Sequence, residues 1–201
     1  MRHVGIRFSG VEIIDLLKAW LATTLAFTVL FSGGLDAGAV GFAVLAIISA
    51  LTAGVGFLLH ELMHKFTANR FGVAAEFRSN DFMLVVMILI AFLGFIFAAP
   101  GAVQIYGNIT RRENGLISLA GPATNIVLAL IFLPFALLTG GILQAIGMYG
   151  LLINAILGAF NLIPFMGLDG QKVLAWHKGW YAGAVATAVI LVAAAFTIMG
   201  A

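Results

Sequence analysis

From Ala37 to Leu59 the chain carries no charged side chain, and it then delivers His60-Glu61-Leu62-Met63-His64. A charge-free run of this length predicts a membrane-spanning helix. Two imidazoles and a carboxylate at its end make that helix more than an anchor. Histidines at i and i+4 share one helix face, about 40° apart, so both reach one metal ion. The glutamate directly after the first histidine is placed to move a proton of a water activated there. Ionisable groups inside an apolar helix are costly, which favours a functional role over a polar patch satisfied by its neighbours.

Composition sets the solvent of the fold. Hydrophobic residues make up 63% of the 201 residues and charged residues 9%, against the usual ~45–50% and ~25%. These values predict an integral membrane protein whose partner is the lipid bilayer. No tract is long or polar enough for a second soluble domain, so residues 1–201 read as one membrane domain with no room for a PDZ or CBS module. The chain has no cysteine, which excludes disulfides and thiolate metal sites. The pI is 9.2, but the formal net charge is only +2. The basic residues therefore read as topology signals, with no nucleic-acid partner.

Apolar segments predict an all-α polytopic fold with five to six transmembrane helices and a small extended or β re-entrant element. The first helix covers roughly Val11–Ser32. Arg2 and Arg7 precede it, and Glu12, Asp15 and Lys18 read as an interfacial turn feeding a signal-anchor. Helices near Ala39–Phe66, Leu116–Leu138, Ile142–Phe165 and Trp180–Met199 follow. Phe82–Ala98 is short: about 25 Å as a helix, against a ~30 Å hydrocarbon core. If it spans, Arg111 and Arg112 fall outside, against the positive-inside trend. If it rises and Pro100–Gly107 returns as extended chain, all ten Lys and Arg fall on the cytoplasmic side or at its interface. The N-terminus and the His60–His64 motif then face the cytoplasm, and Asp36 is the sole charge outside. An ordinary loop at Pro100–Gly107 is the competing reading.

Gly72–Asp81 and Val103–Tyr106 have strand-like patterns. Val103, Gln104, Ile105 and Tyr106 are candidates for holding an extended substrate by strand addition. The polar stretch Lys65–Asp81 is the expected water path.

Two histidines do not complete a catalytic metal site; a third protein ligand is expected. His3 lies in the tail, and His177 sits in an aromatic belt between Trp176 and Trp180. Asp169 is the better candidate. It is the sole acidic residue after Glu113, and the re-entrant topology puts it on the same side as His64.

Here a resemblance becomes specific. The chain resembles the site-2 proteases, the intramembrane zinc metalloproteases of peptidase family M50. That family pairs an HExxH helix with a later N-x-x-P-x-x-x-L-D-G segment. The two stand intact as His60–His64 and Asn161–Gly170. Between them, Ala120-Gly121-Pro122-Ala123-Thr124-Asn125 is similar to the family's G-P-x-x-N segment. The likeness covers about Gly54–Gly170, and the catalytic core is placed at about 39–178. It implies one zinc ion held by His60, His64 and Asp169, with Glu61 as the base. Asn125 and Asn161 would position substrate backbone or the developing oxyanion; on their own, both residues read equally as hydrogen bonds between helices.

The implied activity is hydrolysis of peptide bonds within or next to transmembrane segments of membrane-protein substrates. A housekeeping-type membrane zincin would use a downstream glutamate, and none follows Glu113. A zinc or proton-coupled transporter without hydrolytic activity is the non-enzymatic alternative.

Overall fold

The computed structural model describes residues 5–34, 38–96 and 100–200. Arg2, His3 and Asp36 lie outside the described residues, as do 97–99. Eight helices and two strands follow in order. These are α1 (Gly10–Phe31), α2 (Gly38–Ser49), a π-turn (Ala50–Gly54), α3 (Val55–Arg70), β1 (Ala74–Ser79), α4 (Asp81–Ala91), β2 (Gly101–Tyr106), α5 (Arg111–Leu138), α6 (Gly141–Asn161), α7 (Asp169–Trp176) and α8 (Lys178–Gly200). α2, the π-turn and α3 form one 33-residue apolar element. With α1, α5, α6 and α8 it makes five helices long and apolar enough to cross a membrane.

Two apolar clusters hold the bundle. Leu16, Ala19, Ala22 and Val29 of α1 pack with Phe57, Phe77, Leu84, Met87 and Ala91. Ile126 and Ala129 of α5 pack with Leu151 and Ala155 of α6 and Ala188, Leu191 and Ala195 of α8. The two halves join where α3 lies against α5. These helices run antiparallel: His64 meets Ile117 and His60 meets Asn125. The Arg70 end of α3 and the Arg111 end of α5 therefore lie on one side.

The segment between them is re-entrant, with a different outline from the expected one. The helix predicted over Phe82–Ala98 stops at Ala91, and Gly94 follows at φ +81°. Eleven residues make a helix about 16 Å long, half of a bilayer core. Leu84, Met87 and Ala91 face the protein, while Phe82, Val85 and Leu89 stay exposed. Pro100–Gly107 does not provide the return from the tip of α4. The Pro100 carbonyl already accepts from the Asn80 amide (2.9 Å), so by Pro100 the chain is back beside the start of α4. β2 then pairs antiparallel with β1, from Ser79↔Gly101 to Ala74↔Tyr106. Backbone polar groups at membrane depth need partners, and a paired ribbon supplies them along one edge of each strand.

A second correction concerns the first helix. Ser9 caps α1 by accepting from the Glu12 amide (3.1 Å), but Glu12 and Asp15 do not face outward from the helix bundle. Both are buried. Glu12 pairs with Lys65, and Asp15 pairs with Lys18 and Arg78. A carboxylate this deep is tolerated because a cation faces it.

Candidate metal centre

Three ligand atoms converge from two elements. His60 and His64 come from α3 and Asp169 from the first turn of α7. Asp169 Oδ2 lies 3.4 Å from His60 Nε2 and 3.1 Å from His64 Nε2. Ligands at about 2.0–2.1 Å around a tetrahedral zinc stand about 3.3 Å apart, so the three atoms are spaced for one ion. All three residues are buried.

The histidines are oriented for that use. His64 Nδ1 lies 2.7 Å from the Ile117 carbonyl. A carbonyl only accepts, so Nδ1 carries the proton and Nε2 keeps its lone pair. His60 Nδ1 lies 2.5 Å from Asn125 Oδ1, with the same result. A second partner that fixes tautomer and ring angle is the usual support for a ligating imidazole.

Two glycines make room. A Cβ on Gly121 would fall 2.4 Å from His64 Nε2 and 2.5 Å from His60 Nε2. It would occupy the volume in which an ion touches both nitrogens. A Cβ on Gly170 would fall 2.0 Å from the Leu162 carbonyl oxygen. The absence of a side chain there lets the start of α7 seat against the end of α6, which brings Asp169 back to α3. Burial alone would raise the Asp169 carboxyl, but His64 and His60 beside it hold it well below the usual carboxylate range. A carboxylate beside two imidazoles is the donor set a divalent cation takes. Its other oxygen, Oδ1, lies 3.8 Å from the Lys172 ammonium.

The ligands line a cavity of about 180 Å³ between α3 and β2. Glu61 lines it too and is buried. Val103 and Ile105 form its far wall. Gln104 and Tyr106 point away and are exposed, with the Tyr106 hydroxyl donating to Gln104 Oε1 (3.0 Å). Asn161 lines the cavity and donates from Nδ2 to the Leu157 carbonyl (2.9 Å).

Asn125 is fully buried. Its Nδ2 donates to the Gly56 carbonyl (3.3 Å) and to Asn154 Oδ1 (3.0 Å). Both amide hydrogens are thus in use, which leaves no donor for an oxyanion. His177 stays apart from the ligands; its Nδ1 accepts from the Gly179 and Trp180 amides at the start of α8. Lys65 does not line a water path either, since it is 1% exposed and paired.

Sequence reasoning missed Asn154, the Ile117 carbonyl and the space at Gly121. Asn154 alone carried a signal: it is an amide in the middle of an apolar helix, a residue type that seeks a partner on another helix.

The comparisons agree with this geometry. The model of peptidase family M50 matches residues 46–149. Three relatives bear names that begin "Putative zinc metalloprotease". MJ0611 of Methanocaldococcus jannaschii is 41% identical over 176 residues, covering 85% of this chain and 87% of that protein. YwhC of Bacillus subtilis is 30% identical over 150 residues, covering 62% and 66%. Rip3 of Mycobacterium tuberculosis is 29% identical over 176 residues, covering 85% and 40%. No solved structure matches the chain. With a family model over half its length and five apolar helices around the ligand cluster, the chain is a multi-pass membrane protein that belongs to peptidase family M50.

Proposed function

We propose that this chain is an intramembrane zinc metalloprotease, cutting peptide bonds within or beside transmembrane segments of other membrane proteins. The observation that carries this reading is the cluster His60, His64 and Asp169, with Glu61 in the same cavity. Zinc held there supplies Lewis acidity and a water of lowered pKa. The names of the relatives support zinc over other divalent ions. A transporter would need polar groups spread along a path, whereas these gather in one cavity.

Glu61 accepts a proton from the attacking water on its carboxylate and returns it to the leaving amine nitrogen. Asn125 acts through His60 and does not touch substrate. Asn161, on the cavity wall, is the candidate to orient the substrate backbone. The substrate must unwind before attack, because a helix hides its carbonyls in i to i−4 bonds. The outer edge of β2, beside Val103 and Ile105, is the candidate to receive the unwound strand. The Arg70 and Arg111 ends carry most of the basic residues, so the site faces the cytoplasm under the positive-inside rule. All 201 residues act as one catalytic membrane domain.

Purified protein tests this directly. Glu61→Gln should retain zinc and lose cleavage of a transmembrane peptide, whereas His60→Ala, His64→Ala and Asp169→Ala should each lose zinc. Full zinc occupancy in Asp169→Ala would remove Asp169 from the site, and turnover by Glu61→Gln would remove the base.

A further inference from the structure

Four buried groups from three helices form a one-way chain of hydrogen bonds ending at the first metal ligand. Asn154 Nδ2 donates to the Gly150 carbonyl (2.9 Å), four residues back in α6. Asn125 Nδ2 donates to Asn154 Oδ1 (3.0 Å) and to the Gly56 carbonyl (3.3 Å). Asn125 Oδ1 then faces His60 Nδ1 (2.5 Å). Asn125 and Asn154 are both 0% exposed. A Cβ on Gly56 would sit 2.4 Å from Asn154 Oδ1, so α3 approaches α6 closely at this point.

The direction of this chain is forced. An asparagine amide can be turned over at little cost when its neighbours are hydroxyls or waters. Here the far end is a backbone carbonyl, which only accepts. Asn154 must therefore present nitrogen to Gly150 and oxygen to Asn125. Asn125 must present nitrogen to Asn154 (3.0 Å), and the Gly56 carbonyl, at the longer distance of 3.3 Å, supports that orientation more weakly. Its oxygen is left for His60, which must protonate Nδ1 and turn Nε2 toward Asp169. Turning Asn154 over would set two nitrogens against each other and an oxygen against a carbonyl, with both asparagines buried. An unpaired buried polar group costs about 1–3 kcal/mol, so the wrong arrangement loses on several bonds at once.

We propose that Asn154 is a positioning residue for the metal centre: through Asn125 it sets which nitrogen of His60 faces the ion. It contacts neither ion nor substrate. The inference rests on the metal-site reading, but its test does not need metal.

The test reads histidine ring nitrogens by NMR in metal-free protein, labelled at histidine and held in detergent micelles. In the wild type both His60 and His64 should show protonated Nδ1. In Asn154→Leu, His60 should become a mixture of tautomers, while His64, held by the Ile117 carbonyl, should not change. Zinc affinity, measured by competition with a chelator, should fall roughly 10- to 100-fold, the size expected for a lost second partner. Asn154→Asp keeps an acceptor for Asn125 and should restore a single His60 tautomer. A single protonated-Nδ1 His60 in Asn154→Leu, with unchanged zinc affinity, would overturn the proposal. So would a simultaneous change at His60 and His64, which would make Asn154 a general fold residue. Failure of the wild type to bind zinc at all would instead overturn the metal-site reading and leave the tautomer result standing.

Discussion

Glu12 and Lys65 form an ion pair closed to water, one residue beyond His64 of the candidate metal centre. Their exposures are 0% and 1%. The Lys65 ammonium also donates to the Arg7 carbonyl (2.7 Å) and stands 4.1 Å from the centre of the Phe8 ring. The second Glu12 oxygen accepts from the Phe77 amide (2.9 Å). One pair thus ties α1, α3 and β1 together at the level of the metal centre.

Breaking that pair from one side should be worse than removing it whole. Lys65→Met leaves a buried carboxylate and Glu12→Gln leaves a buried ammonium; each should cost about 3–5 kcal/mol. The double variant Glu12→Gln, Lys65→Met keeps an acceptor for Phe77 and should recover most of the loss. Unfolding in mixed micelles measures all three. A double variant no better than either single would show that the charge pairing is not what is lost.

Gly121→Ala should empty the metal centre while sparing the fold. Alanine suits a helix interior better than glycine, yet its Cβ falls against both Nε2 atoms. Circular dichroism should match the wild type, and metal analysis should find little or no zinc. Stoichiometric zinc in this variant would mean that α5 withdraws from α3 more easily than its packing implies.

The outer edge of β2 can be tested residue by residue. Phe77 gives its amide to Glu12, away from β2, so Phe77 and Val103 are a non-hydrogen-bonded pair. By alternation, Gln104 bonds inward to β1 and Ile105 presents its amide outward. Proline at Ile105 therefore removes an edge donor and leaves the ribbon ladder intact. Ile105→Pro should slow cleavage of a free transmembrane peptide well beyond Ile105→Ala, at unchanged zinc content. Equal rates for the two variants would assign the effect to lost packing and not to strand addition.

The proposed membrane sidedness is open to direct test. The chain lacks cysteine, so single cysteines label cleanly. Asn108→Cys, after β2, should react from the cytoplasmic face, and Gly140→Cys, between α5 and α6, from the opposite face. Reaction of both from one face would contradict α5 as a full crossing.

What the sequence made legible was contiguous. The metal motif states its chemistry within five residues, the Asn161–Gly170 segment became legible only through its resemblance to the family's pattern, and long apolar runs located the spanning helices. Boundaries suffered where polar residues begin a helix. α5 starts at Arg111, five residues before the expected Leu116, because Thr110 and Glu113 form a capping box there. α7 was missed because eight residues carry too little periodicity. The deeper omissions are partners far apart in the chain. Asn125 lies 65 residues from His60 and 29 from Asn154, and nothing local to an amide in an apolar helix names the side chain it will meet.

The third ligand also has a consequence in time. Asp169 is made 105 residues after His64, and translation proceeds at about 5–20 residues per second. For roughly 5–20 s, then, a growing chain has both histidines and the base but no third donor. Even afterwards, Asp169 reaches the histidines only once Gly170 has seated against Leu162. On the roles proposed above, the nascent chain would gain hydrolytic competence only once Asp169 has joined the two histidines.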